Sequence, residues 1–466
     1  MFQYAHIANR SNIMIDVYYS NEIRELVDSF YKKYREAEEP IRVNFRNFFP
    51  NMNSNERYSH LIHSYPAKLL YHIPYFFLQT DYFCPSDGIV LDPFCGTGTV
   101  MLEANISGRS ALGADSNPLA VLIAKVKTKY IKRENLQKSK EKIISSAKRC
   151  NVQENRDSSH VFYWFSETTI VQLRRLEYAI NKIQNIEQRS FFLACFSSLI
   201  KKVSFADPSI SVPVRLNPER FVQNPERMES VKFKIKTLEN IDVYDKFDNI
   251  CQLNIDRIDT LHAVNCNGVY SKVISTDARN LTKEIGSNEK LQDGSVDLIL
   301  TSPPYAGAQK YIRSSWLNLF WLGTKNREDI RLLNSKNIGR EDYHKSDIYQ
   351  IETGIVSADK VLASLYEDGK NERAFIVGNY LNEMKSALDE SIRVLKKGGY
   401  MVIVIGNNTV CGRPFDTQDY LTTYISSKGL DLQFKLIDDI KSYGLMTKRN
   451  KTASRISCEW VLVFKK

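Results

Sequence analysis

Val296-Asp297-Leu298-Ile299-Leu300-Thr301-Ser302-Pro303-Pro304-Tyr305 is the stretch that decides how this chain is read. Its first residues are largely apolar and stop abruptly at two prolines, the pattern of a buried parallel strand. In an open α/β sheet the chemistry lies in the crevice beyond the carboxyl ends of the strands, and Ser302-Pro303-Pro304-Tyr305 falls there. Pro303 and Pro304 have no N–H, so the backbone offers only carbonyl acceptors and has little freedom. Ser302 adds a hydroxyl acceptor, and Tyr305 a flat ring on which a planar base can stack.

These groups suit one reaction, methylation of an exocyclic amino group. The amino lone pair is delocalised into the base and is a poor nucleophile. Two acceptors holding its two N–H bonds pull the nitrogen toward tetrahedral geometry and aim the lone pair at an incoming methyl. The ordinary alternative is a strand end turning on two prolines with Tyr305 as packing, so the rest of the chain must decide.

Upstream, Ile89 to Thr99 reads IVLDPFCGTGT. A short apolar strand ends in Asp92, Gly96 and Gly98 form a tight loop, and a helix follows from Val100 to about Ser107, with Gly108 placed to end it. Such glycines let a nucleotide-like ligand approach the backbone near a helix N-terminus. Ser110 to Asn117 (SALGADSN) supplies a second strand ending in Asp115, 19 residues after Gly96, the spacing of a ribose-hydroxyl acceptor. Lys272 to Ala278 (KVISTDA) supplies a third, with Asp277 at its end, 25 residues before Ser302.

Around this frame, residues 1–50 read as peripheral, with Ser20 capping a helix from Asn21 to about Glu38 and Pro40 beyond its end. Pro66 and Lys68 precede an amphipathic helix, and Lys68 is expected to meet a carboxylate. Lys125 to Cys150 holds ten Lys or Arg against two Glu, a candidate phosphate-contacting face. Helices follow through Val203, after which DPSISVPVRLNP at 207–218, with three prolines in twelve residues, must leave helix. Residues 323–369 are polar and partly irregular. A helix from about Glu372 to Lys397 stops at Gly398-Gly399, and Tyr400 to Ile405 is a buried strand. Leu430 to Ile440 and Glu459 to Phe464 form a final hairpin around Lys441 to Arg455, a loop with five Lys or Arg and no acid.

The totals narrow the class. The 466 residues are 43% hydrophobic and 25% charged, a folded composition for roughly two to four domains, and the net charge of +10 favours a polyanionic partner. No apolar run approaches the roughly 20 residues of a membrane span. The eight cysteines are scattered without a C-x-x-C pair, which suggests reduced thiols in a cytoplasmic protein. The histidines show no metal-ligand spacing, and no metal is expected.

Together, YPAK at 65–68, DPFCGTGT at 92–99, ADSNP at 114–118, STDA at 275–278 and TSPPY at 301–305 resemble the S-adenosylmethionine-dependent DNA amino methyltransferases of SPPY type, the N4/N6 DNA methylases. The resemblance covers about 60–125 and 270–466. It implies a Rossmann-like α/β fold with a seven-stranded sheet and a last antiparallel strand, interrupted by a mainly helical insertion. The implied organisation is an N-terminal helical extension (1–59), a first methyltransferase part (60–125), an insertion that is a candidate DNA-recognition region (126–269) and a second part (270–466), whose 323–369 stretch is the other candidate for target recognition. The implied cofactor is S-adenosyl-L-methionine, bound by Pro66, Lys68, Asp92, Pro93, Phe94, Gly96, Thr97, Gly98, Thr99, Asp115, Asn117, Asp277 and Ala278. The implied catalytic set is Ser302, Pro303, Pro304 and Tyr305, acting on a base flipped out of double-stranded DNA. Ser at 302, rather than Asp, leans toward N4 of cytosine. N6 of adenine is the alternative, ahead of an RNA substrate or a silent nucleic-acid-binding module. A cognate restriction endonuclease, acting as a separate protein, and a prokaryotic cytoplasmic setting belong to the same picture. One departure stands out: Asp92 and Ser302 are 210 residues apart, where three βα units need only about 90.

Overall fold

The computed structural model describes residues 8–49, 52, 57–65, 68–151, 159–264, 268–306, 311–324, 326–440 and 457–466. Strand β1 comprises Ile41–Val43, β2 Ile89–Asp92, β3 Ser110–Ala114, β4 Ser271–Ser275 and β5 Val296–Thr301. β6 runs Leu395–Ile405, β7 Asn408–Val410, β8 Arg413–Phe415, β9 Asp431–Asp439 and β10 Cys458–Lys465. Eight of them form one sheet in the order β1-β9-β10-β6-β5-β2-β3-β4, and β7 pairs with β8 alone. Within the large sheet every pairing is parallel except those of β10, which runs antiparallel to both β6 and β9. This is the expected Rossmann-like sheet with an antiparallel last strand, plus an eighth strand that the sequence reading did not include.

Both faces of the sheet are covered, which is why its strands read as apolar runs rather than alternating ones. Val90, Leu298, Leu300, Val402 and Val404 share one apolar cluster with Val27, Phe30, Phe76 and Val100. Their neighbours Leu91, Ile299, Met401 and Ile403 point the other way, into a cluster with Leu362, Tyr380 and Leu421. Helices Ala8–Ala37, His72–Leu78 and Thr99–Ile106 therefore close one face, and Val356–Glu367, Asn371–Val394 and Thr417–Ser427 the other. Asp297 is the charged residue of β5, and both of its carboxylate oxygens are engaged. Its carboxylate accepts the Ile89 N–H at 2.9 Å and the Lys396 ammonium at 2.6 Å.

Four sequence expectations need correction here. The N-terminal segment is not peripheral: Ile41–Val43 pairs in parallel with β9, and the preceding helix buries Ile23, Val27 and Phe30. That helix begins at Ala8, so Ser20 lies inside it; Ser is a tolerable helix interior residue, and a cap needs a non-helical backbone. The helix after Lys68 is only His72–Leu78 and is buried all round, not amphipathic. At the other end, β6 starts at Leu395, because the chain leaves helix at Val394, and Gly398, at φ +81°, lies in the irregularity where the register against β5 jumps from Leu395 to Tyr400.

The insertion is helical as read, with Arg133–Arg149, Glu167–Asn181, Ile186–Ile200, Pro225–Glu239 and Val243–Asp259. It is not loosely appended. Leu173, Phe192, Phe196 and Phe247 belong to one continuous apolar cluster with Leu119 and Ile123 of helix Pro118–Lys127 and with Leu317 and Trp321 of helix Tyr311–Trp321. Part of the basic run at 125–150 is paired with acids brought in from elsewhere. Arg133 pairs with Asp256 and Asp259, Lys140 with Asp248, and Lys129 with Glu187. Lys127 is fully buried, which excludes it from any phosphate contact. The basic loop at 441–455 lies outside the described residues.

Candidate active site

Strand order reverses between β2 and β5: from β2 the chain winds outward through β3 and β4, and from β5 the other way through β6. Crevices at such a switch point are the ligand sites of open α/β sheets. Here the cleft is lined by the tips of four strands. Pro93, Phe94 and Gly96 follow β2, Asp115 and Ser116 follow β3, Thr276, Asp277 and Ala278 follow β4, and Ser302 and Pro304 follow β5. Its empty volume, counting the open mouth, is about 670 Å³.

The loop after β2 owes its shape to two left-handed glycines, Gly96 at φ +49° and Gly98 at φ +76°. At Gly98 a Cβ would come within 3.0 Å of Ala124 Cβ, so the loop packs hard on helix Pro118–Lys127. At Gly96 a Cβ would meet no protein atom within 4 Å; it would project into open space at the cleft it lines. Thr97 faces away from the cleft and accepts a hydrogen bond from Lys127 Nζ at 3.2 Å. Thr99 is buried as the first residue of its helix.

The three strand-end acids have different environments. Asp92 is buried, accepts the Thr301 hydroxyl at 2.6 Å and the Phe94 N–H at 3.1 Å, and so ties the tips of β2 and β5 together. Burial pushes its carboxyl up to about 7. Asp115 accepts the N–H of Gly96 at 2.9 Å on one oxygen and that of Asn117 at 2.8 Å on the other, and burial pushes it up to about 6. It is the fastener of the glycine loop as well as a cleft residue. Asp277 is held by the Arg279 guanidinium through both oxygens, at 2.9 Å each.

The tetrad after β5 divides. Ser302 and Pro304 face the cleft, Pro303 is buried, and the half-buried Tyr305 donates its hydroxyl to Glu459 Oε1 at 2.8 Å, fixing the ring. Burial raises the Glu459 carboxyl. Asn117 caps helix Pro118–Lys127 by accepting the Leu119 N–H, and its amide donates to Tyr65 Oη at 2.9 Å. Among the described residues Lys68 meets no carboxylate; its ammonium donates to the carbonyls of His63 and His60 at 2.6 and 3.2 Å. Burial lowers Lys68 to about 8. Pro66 lies outside the described residues.

Thus the structure gathers Pro93, Phe94, Gly96, Asp115, Asp277, Ala278, Ser302 and Pro304 on one cleft, with Asp92, Thr97, Gly98, Thr99, Asn117, Pro303 and Tyr305 bracing it from behind or beside. Sequence reasoning missed Tyr65, Ser116, Thr276 and the wall made by Lys336, Asn337 and Ile338. Tyr65, Ser116 and Thr276 sit inside quoted motifs, and adjacency was their signal. Residues 336–338 follow no motif or periodicity.

The donor set has a clear chemistry. Carboxylates at two adjacent strand tips accept hydroxyl or amino hydrogens, a glycine leaves room for close approach, and a serine and proline carbonyls stand beside it. These residues fit a nucleoside-bearing cofactor next to an amino group.

The profile of the DNA methylase family of N6/N4 type matches residues 8–126 and 296–466, skipping the stretch that holds the helical insertion. The type II methyltransferase M.MvaI of Kocuria varians is 25% identical over 415 residues, covering 84% of this chain and 85% of that protein. The type II methyltransferase M.BsoBI of Geobacillus stearothermophilus is 22% identical over 402 residues, covering 79% and 76%. Among solved structures, a SAM-dependent methyltransferase from Methanosarcina mazei aligns with 82% of this chain and 94% of its own at 10% identity and a TM-score of 0.28, too low to add to the fold.

Proposed function

Since the chain belongs to the DNA methylase family of N6/N4 type, we propose that it transfers a methyl group from S-adenosyl-L-methionine to N4 of cytosine in duplex DNA. The observation that carries this reading is the placement of Ser302 and Pro304 on the same cleft as Gly96, Asp115 and Asp277. The cofactor, when bound, supplies an electrophilic methyl on a sulfonium, so no metal is needed. Asp115 accepts from the ribose, Asp277 from the adenine amino group, and Pro93, Phe94 and Gly96 form the wall between. Ser302 Oγ and the Pro303 carbonyl accept the two hydrogens of the target amino group. Tyr305, its hydroxyl fixed on Glu459, presents its ring to a base taken out of the stack. Asp92 does its work indirectly, by locking the tip of β5 to the tip of β2 through Thr301.

The insertion at 126–269 reads the target sequence in this proposal, and the protein acts on DNA in a prokaryotic cytoplasm, with a cognate endonuclease as a separate chain. The test is single-molecule sequencing of DNA from cells expressing the parent or Ser302→Ala. N4-methylcytosine at one recurring site, absent with the variant, is the expected result. N6-methyladenine at that site would overturn the base assignment, and unmodified DNA the activity.

A further inference from the structure

We propose that Lys336, Asn337 and Ile338 form the wall that closes on the nucleoside half of the methyl donor, with Asn337 as a binding residue and Ser116 as the residue that positions it. This rests on the donor assigned above. The wall is built rather than draped. Ser116 Oγ donates to Asn337 Oδ1 at 2.6 Å across 221 residues of sequence, and Asn337 Nδ2 donates to the Leu333 carbonyl at 3.2 Å. The Lys336 carbonyl accepts from Arg279 at 3.4 Å and the Asn337 carbonyl from Arg340 at 3.3 Å. Both guanidinium groups converge on Glu383 Oε1 of helix Asn371–Val394, at 3.1 and 2.6 Å.

The anchoring points say which half of the donor the wall meets. Ser116 follows Asp115 at the tip of β3, and Arg279 grips Asp277 just past β4. The methyl must be delivered at Ser302, beyond β5, and the sheet order β5-β2-β3-β4 puts the wall's anchors on the far side of the glycine loop. An acid in the position of Asp115 takes a ribose hydroxyl in such folds, so the moiety beside Ser116 and Asn337 is the nucleoside. Ile338, buried but lining the cleft, adds an apolar surface suited to the flat face of a purine.

Calorimetric titration with S-adenosylhomocysteine and with 5′-methylthioadenosine, which lacks the amino-acid half, tests this without any methyl transfer. Asn337→Ala should weaken both ligands by a similar factor, about tenfold, the value of one lost polar contact. Ser116→Ala should weaken both likewise, and the double variant should be little worse than either single one, because both break the same link. Loss confined to S-adenosylhomocysteine would place the wall on the amino-acid half and overturn the inference, as would unchanged affinities. Failure of the parent to bind 5′-methylthioadenosine at millimolar concentration would overturn it too. Failure of the parent to bind S-adenosylhomocysteine would instead remove the proposed donor itself.

Discussion

Replacing Asp115 by Asn should make the stability difference between variant and parent depend on pH. In the parent, each carboxylate oxygen takes a backbone N–H, from Gly96 at 2.9 Å and from Asn117 at 2.8 Å. The Asn side chain has one acceptor oxygen, so one of these N–H groups is left without a partner, at a cost of about 1–3 kcal/mol. Against this stands the burial of the charge. The parent carboxyl is raised from 3.8 to about 6, so the folded state holds its proton more tightly than the unfolded chain does. Stability from this group is therefore fully present below pH 3.8 and is lost as pH rises through about 6. The loss amounts to about 3 kcal/mol as an upper bound, since the carboxylate is partly open to the cleft. The Asn variant has no such loss. It should be less stable than the parent at pH 4 and close to it, or above it, at pH 8. Urea unfolding of both proteins across that range measures the difference. A difference that stays flat from pH 4 to 8 would refute the buried-carboxylate argument.

Other perturbations address separate parts of the site. Ser302→Ala should leave donor affinity within about twofold and slow single-turnover methyl transfer roughly 30- to 1000-fold, since it removes one preorganised acceptor; a parental rate would dismiss the role given to Ser302. Tyr305→Phe breaks the 2.8 Å bond to Glu459 but keeps the ring, so transfer should fall far less than in Tyr305→Ala, and equal rates in the two would remove the stacking role. Gly339→Ala should cost about 1–2 kcal/mol of stability for its left-handed backbone, plus the push of a Cβ 3.0 Å from the Tyr305 carbonyl, read by urea unfolding. Arg133→Glu should lower the unfolding temperature, since it sets a third acid against Asp256 and Asp259, while the salt dependence of DNA affinity stays parental; a changed salt slope would restore Arg133 as a phosphate contact.

What the sequence made legible was local. The run into Ser302, the glycines at 96 and 98 and the acids at strand tips announce themselves because backbone sterics and strand burial act within a few residues. Lys68 went astray because a buried lysine can be satisfied by backbone carbonyls, here those of His60 and His63 in the preceding segment, which no side-chain pattern announces. The engagement of Arg133 and Lys140 within the run at 125–150 was not legible because their partners, Asp248, Asp256 and Asp259, arrive on a helix more than a hundred residues later. Asn337 was invisible for the same reason: its meaning comes from Ser116, and only the folded chain brings them together.

The placement of β10 has a consequence for how the molecule comes into being. β1 pairs only with β9, and β9 reaches the rest of the sheet only through β10, so Ile41 meets Leu436 across 395 residues. During synthesis the helix Ala8–Ala37 and β1 emerge long before β9 and β10, yet their seat does not exist until those strands have been translated. Until then Ile23, Val27 and Phe30 lack much of their cover, and the nascent chain carries a sticky surface through most of its time on the ribosome. A ribosome stalled after β6 has emerged but before β9 and β10 are made should therefore hold a chain whose glycine loop and β5 are already assembled while the helix Ala8–Ala37 remains open to protease.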